Sequence, residues 1–121
     1  MIFDAKKIIE ENKRLIDRKT CPFRISEKTL KTFKKTCNGQ GFKNHSPILE
    51  ELILRFNSYA NNTDSITFQV KGRNDRAGTS CSLSSGIWKE FNQNIEAQGL
   101  DRVQLLEYLM DEFNQQVKQS K

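Results

Sequence analysis

The apolar positions of this chain recur in the same order twice. From Thr20 to Ile25, the residues Cys21, Phe23 and Ile25 alternate with Thr20, Pro22 and Arg24, which is the period of a half-buried strand. Leu30, Phe33 and Cys37 follow at helical spacing, with Ser26 and Glu27 as a helix start, and Gly41 closes that helix as glycine does after a last turn. A short link, FKNHSP, leads to Ile48, Leu49, Leu52, Ile53 and Phe56, the broad face of a second helix with Pro47 in its first turn and Asn44 or Ser46 as its cap. The same grammar then returns. Thr79, Cys81 and Leu83 alternate with Gly78, Ser80 and Ser82; Trp88, Phe91 and Ile95 form a stripe that Gly99 stops; and Asp101 caps a last helix whose face is Leu105, Leu106, Leu109, Met110 and Phe113.

A shift of 58 residues lays Leu30 on Trp88, Phe33 on Phe91, Gln40 on Gln98 and Gly41 on Gly99. Beyond the glycine the shift drops to 57, so that Glu50 and Asn57 fall on Glu107 and Asn114, and the first copy carries one extra loop residue. A repeated unit of this size does not bury its apolar face alone, so the two copies are expected to share one core within a single domain spanning residues 1–121.

The flanks are read less directly. In residues 2–17, Ile8, Ile9, Leu15 and Ile16 make a partial helical face that Asp4 can cap. Residues 1–19 are therefore a short helix, or else a basic arm carrying Lys6, Lys7, Lys13, Arg14, Arg18 and Lys19 that orders on a partner. In the connector of residues 58–78, Ile66, Phe68 and Val70 alternate and predict an extra strand, paired with Thr79 to Leu83 as a hairpin or covering an edge. The turn-rich loop GRNDRAG after it is basic, and residues 115–121 read as a frayed tail. The expected fold is mainly α with a short β-ribbon: strand, helix, helix over residues 20–57, the connector with its extra strand, and strand, helix, helix over residues 79–114.

Composition narrows the function classes. The chain has 121 residues, 36% hydrophobic and 29% charged, enough apolar content for a folded globule. No run approaches a membrane span, and the start MIFDAKKIIEENKR lacks the apolar core of a signal peptide, so a cytoplasmic location is expected. Three cysteines without CxxC spacing suggest neither a zinc site nor a disulfide framework, and read as small core residues. His45, the single histidine, leaves little for metal or acid–base chemistry. Glycines 39 and 41 belong to a helix stop, too short for a phosphate-cradling fingerprint, and no paired carboxylates stand at a recognisable spacing. Neither an enzyme, a cofactor nor a small-molecule substrate is expected. The net charge of +5 is unevenly placed: residues 1–45 carry +7, residues 46–83 are neutral and residues 84–121 carry −2. A polyanionic partner would meet the first copy.

A short strand followed by two helices of about three turns, the first stopped by glycine and the second opened by a cap, resembles the ribbon-helix-helix fold of the Arc and MetJ superfamily. The resemblance covers both copies, in the tandem form that fuses two protomers in one chain as a pseudo-dimer. FRIS at Phe23 to Ser26 is similar to that family's strand end, whereas CSLS at Cys81 to Ser84 departs from it with serine in place of arginine. The resemblance implies a two-stranded ribbon in the major groove of double-stranded DNA, with base contacts from Thr20, Pro22 and Arg24 on one strand and Ser80 and Ser82 on the other. Arg24 alone among them can make the bidentate guanine contact worth about 1–3 kcal/mol of discrimination. It further implies phosphate contacts at the starts of the second helices, from Asn44, His45 and Ser46 and from Arg102 beside Asp101, with Lys19, Lys71, Arg73 and Arg76 on the flanks.

The function so implied is a sequence-specific bacterial, plasmid or phage transcriptional regulator, such as a repressor, reading an asymmetric site in the nucleoid as one molecule or with a second copy on an adjacent site. A conjugation (relaxosome) or partition accessory protein needs the same binding. A protein-interaction module that retains the fold without DNA is the alternative from another class, supported by the mostly uncharged second strand.

Overall fold

A computed structural model describes residues 2–68 and 75–120. After helix α1 (Ala5–Asn12) and a 3-10 turn (Lys13–Leu15), the order is strand β1 (Arg18–Ser26), helices α2 (Glu27–Gly39) and α3 (Ser46–Asn61), strand β2 (Arg76–Ser84), and helices α4 (Ser85–Gln98) and α5 (Arg102–Gln119). The molecule is thus mainly helical with one two-stranded sheet. Both strands start earlier than their apolar alternation indicates, and the last helix runs through to Gln119, so most of the expected tail is helical.

The strands pair antiparallel, with Cys21 opposite Cys81 and Pro22 opposite Ser80. Two bonds at the ladder's ends set its parity: the Glu27 amide donates to the Asp75 carbonyl (2.8 Å) and the Ser85 amide to that of Asp17 (2.9 Å). Odd-numbered residues of β1 therefore stand in hydrogen-bonded pairs and even-numbered ones turn their nitrogen away. Pro22, which has no N–H, occupies a position where none is needed.

Below the ribbon lie Cys21, Phe23, Ile25, Cys81 and Leu83, all buried, and the four long helices close over them. Each long helix packs across the sequence repeat: α2 against α5, and α3 against α4, while α5 also touches β1 and α3 touches β2. Neither strand–helix–helix segment could keep this core without the other. Phe33 and Phe91 are fully buried at its centre, each worth roughly 1.5–3 kcal/mol of transfer free energy. Phe33 meets Phe113 edge-on at 5.6 Å, and Phe91 meets Phe56 in the same way at 5.6 Å.

Local chemistry sets the helix ends. Ser26 Oγ accepts the Thr29 amide at the start of α2, and Asp101 Oδ1 accepts the Gln104 amide at the start of α5. Gly41 and Gly99 follow the ends of α2 and α4 at φ +96° and +65°, a backbone region that disfavours side chains.

One expectation is corrected, and one alternative is decided. Ile66 to Phe68 forms no strand, and the sheet holds β1 and β2 alone among the described residues; Val70 lies outside them. The alternation of Ile66 and Phe68 serves packing instead. Ile66 is buried in the core and Phe68 leans on Tyr108 (5.3 Å between centroids), covering the seam between α3 and α5. At the other end α1 does form, capped by Asp4, which accepts the Lys6 and Lys7 amides. Its apolar side is open: Ile8 and Ile9 are exposed, as are Leu15 and Ile16 just beyond the helix. No helix among the described residues is long and apolar enough to cross a membrane.

Candidate nucleic-acid interface

In the middle of β1, the pleat that buries Cys21, Phe23 and Ile25 turns the residues between them outward. Thr20, Pro22 and Arg24 are exposed on one face, next to Ser82 and Ser80 in the pairs Thr20–Ser82 and Pro22–Ser80, with Arg24 opposite Gly78. All five residues expected to reach bases are thereby brought together. This surface is polar and almost uncharged. Its arginine is also partly engaged, since the Arg24 guanidinium donates to the Arg76 carbonyl (3.0 Å) and so lies across the ribbon's end.

The expected phosphate contacts scatter. Lys19 is exposed beside the start of α4, in a shallow cleft it shares with Asp17, Trp88 and Lys89. Asn44 is exposed and its Oδ1 accepts the Ser46 amide (2.9 Å), which takes the first amide of α3; the next residue, Pro47, has none. Ser46 itself is buried, which removes its side chain from any surface contact. His45 is turned inward: its Nε2 lies 3.3 Å from Cys81 Sγ and its ring stands edge-on to Phe33. Burial, and secondarily the Lys34 charge, lower its pKa below the ordinary histidine value, so it is neutral at neutral pH and no cation for phosphate. Arg102 lies over the Trp88 ring (5.6 Å) and donates to Asn92 Oδ1 (3.3 Å). Arg76 is paired with Glu107 at 3.3 Å. Lys71 and Arg73 lie outside the described residues.

A basic corner stands where the charge distribution put the excess. Lys34, Lys35 and Lys43 are exposed around a cleft of about 750 Å³ that Asn38, Phe42, Asn44 and His45 complete, between the end of α2 and the start of α3. At the shift of 58, Lys34, Lys35 and Lys43 fall on Asn92, Gln93 and Asp101, so the corresponding corner of the second segment has none of the three lysines.

Sequence reasoning also missed a pair of polar braces at the ends of the ribbon. Arg18 pairs with the buried Glu50 (2.7 Å) and donates to the Ser82 carbonyl (2.6 Å). Arg76 pairs with the buried Glu107, which also accepts the Ser26 amide (2.9 Å). Asp17 accepts the Ser85 hydroxyl at the start of α4, and Asp75 accepts the Ser26 hydroxyl and the Lys28 amide (3.2 Å), so each aspartate binds the start of the helix that follows the opposite strand, and Asp75 takes a first-turn amide there. The signal was present. Asp17-Arg18 and Asp75-Arg76 are 58 residues apart, the same shift that relates the apolar positions.

Among the described residues no three His, Cys, Asp or Glu side chains gather as a metal site. Compared with family models, curated proteins and solved structures, the chain matches none.

Proposed function

We propose that this chain is a single-chain counterpart of a ribbon-helix-helix protomer pair, and that it binds double-stranded DNA sequence-specifically by laying the outer face of its ribbon in the major groove. The observation that carries the reading is the ribbon itself: two paired strands, backed by four helices, present Thr20, Pro22, Arg24, Ser80 and Ser82 on one free face. The reading includes a pseudo-two-fold relation between the copies. Pro22 faces Ser80, the residue that the shift of 58 lays on it, so the axis relating the two copies would pass between those two residues. The crossed helix packing and the braces at Arg18 and Arg76 obey the same relation.

Recognition on this reading is lopsided. Arg24 leaves the Arg76 carbonyl for a guanine edge, while the serines of β2 read bases ambiguously. Lys34, Lys35 and Lys43 hold phosphates on one flank, and the Asp101 corner holds them weakly. The site is therefore asymmetric, which suits a regulator reading one orientation as well as a relaxosome or partition accessory protein.

Selection of duplexes from a random pool by the purified protein tests this. Enrichment of one asymmetric motif is expected, with Arg24→Ala costing about 10-fold or more in affinity and relaxing one guanine position. Replacing Lys34, Lys35 and Lys43 together should leave the motif intact and flatten the dependence of log K on log salt by roughly one unit for each phosphate no longer neutralised. No retention of any duplex at low salt would overturn the proposal. It would favour an interaction module, a reading supported by the near-absence of charge on the ribbon's outer face and the exposed apolar side of α1.

A further inference from the structure

We propose that Cys21 and Cys81 are a dithiol pair that peroxide converts into a disulfide across the ribbon, with His45 as the proton acceptor for Cys81. The two cysteines lie directly opposite each other in the antiparallel register, both on the buried face. The ladder's parity makes them a hydrogen-bonded pair, for which Cα atoms stand about 5.5 Å apart, within the usual span of disulfides. They belong to different strand–helix–helix segments, so the bond would tie the two together beneath the ribbon's centre.

The second observation is the histidine. His45 Nε2 lies 3.3 Å from Cys81 Sγ, and the ring lines the open cleft of Lys34, Lys35 and Lys43. Burial raises both thiols above their ordinary value, a rise that a hydrogen bond with the Ser46 side chain opposes at Cys81. A thiolate must therefore be generated in place, and a neutral imidazole at this distance can accept the proton.

The chemistry balances with peroxide as oxidant. His45 takes the Cys81 proton, and the thiolate attacks one peroxide oxygen. The O–O bond breaks, leaving a sulfenic acid on Cys81 and releasing hydroxide, which takes the proton back to become water. Cys21 sulfur then attacks the Cys81 sulfur, the S–O bond breaks, and the departing hydroxide takes the Cys21 proton as a second water. Two thiols are oxidised to one disulfide and one peroxide is reduced to two waters.

The test is peroxide treatment of the full-length native protein, followed by thiol counting after unfolding and by peptide mapping without reductant. The three free thiols should fall to one, with a peptide joining Cys21 to Cys81 and Cys37 left free. The thermal midpoint should rise by roughly 10 °C, because the bond closes a long loop. His45→Gln should slow the oxidation about 10-fold without changing its end point. Persistence of three free thiols, or a bond to Cys37 or between molecules, would overturn the proposal; an unchanged rate in His45→Gln would overturn the proton acceptor. Mapping the native chain makes the result independent of how well cysteine variants fold, and none of these readouts requires DNA.

Discussion

Asn57 on α3 and Asn114 on α5 occupy matching places in the sequence repeat, yet they live differently. The Asn57 amide donates to the Ile87 carbonyl (3.3 Å) and its oxygen accepts from Asn94 (3.1 Å), which ties α3 to α4. Asn114 has both its amide nitrogen and its oxygen buried, with no partner among the described residues. The cause lies across the interface. Asn94 has Thr36 as its counterpart at the shift of 58, and the Thr36 hydroxyl donates to the Thr32 carbonyl on its own helix (2.8 Å). The two segments thus bury matching apolar positions of the sequence repeat, such as Phe33 and Phe91, and differ in their polar wiring.

Substitutions separate the two levels. The largest effect is expected where the segments agree. Phe33→Ala and Phe91→Ala each remove a fully buried ring at the centre of the core and should each cost about 3–5 kcal/mol in urea unfolding. A cost in one segment more than about 2 kcal/mol above that in the other would break the idea of one shared core.

The braces come next, because both segments have one but not on equal terms. Glu50 is met by Arg18 at 2.7 Å; Glu107 is met by Arg76 at 3.3 Å and holds the Ser26 amide as well. Removing an arginine strands a buried carboxylate, although both guanidinium groups keep some contact with water. Arg18→Met should cost about 2–3 kcal/mol, and Arg76→Met about 1–2, since Glu107 keeps a hydrogen bond from Ser26. Adding Glu50→Leu to the first variant should recover part of its loss, and a double variant no more stable than Arg18→Met would show that Glu50 is already comfortable alone.

What was legible in the chain follows the same division. The inward set of the strands and the faces of the long helices stand out because burial imposes periods of 2 and 3.6 on apolar residues, and the structure buries Cys21, Phe23, Ile25, Phe33, Leu49, Leu83, Phe91 and Leu106 as that pattern requires. Polar partners impose no period. Arg18 and Asp17 precede the first apolar alternation and find their partners through the fold, so only their recurrence as Arg76 and Asp75 marks them. His45 reads as a surface residue at a helix start and proves to be half-buried against Cys81. Alternation also misleads where a linker covers a seam: Ile66 and Phe68 have a strand's period without a strand's partner. In α1 the apolar side is periodic and still exposed, because periodicity describes a face and not what lies against it.

The smallest effect is the sharpest test, because it predicts opposite signs at matching positions. Asn57→Ala removes two hydrogen bonds and strands the Asn94 amide, and should cost about 1–2 kcal/mol. Asn114 makes no compensating bond among the described residues, so its buried amide already bears a desolvation penalty. Asn114→Leu, similar in volume, replaces a stranded polar group by an apolar one near Val117 and should be neutral or stabilising by up to about 1 kcal/mol. Urea midpoints for the two variants, compared at equal slope, decide the matter. Equal losses would mean that Asn114 finds a partner in solution, and the two segments would then be alike in their polar wiring as well as in their core.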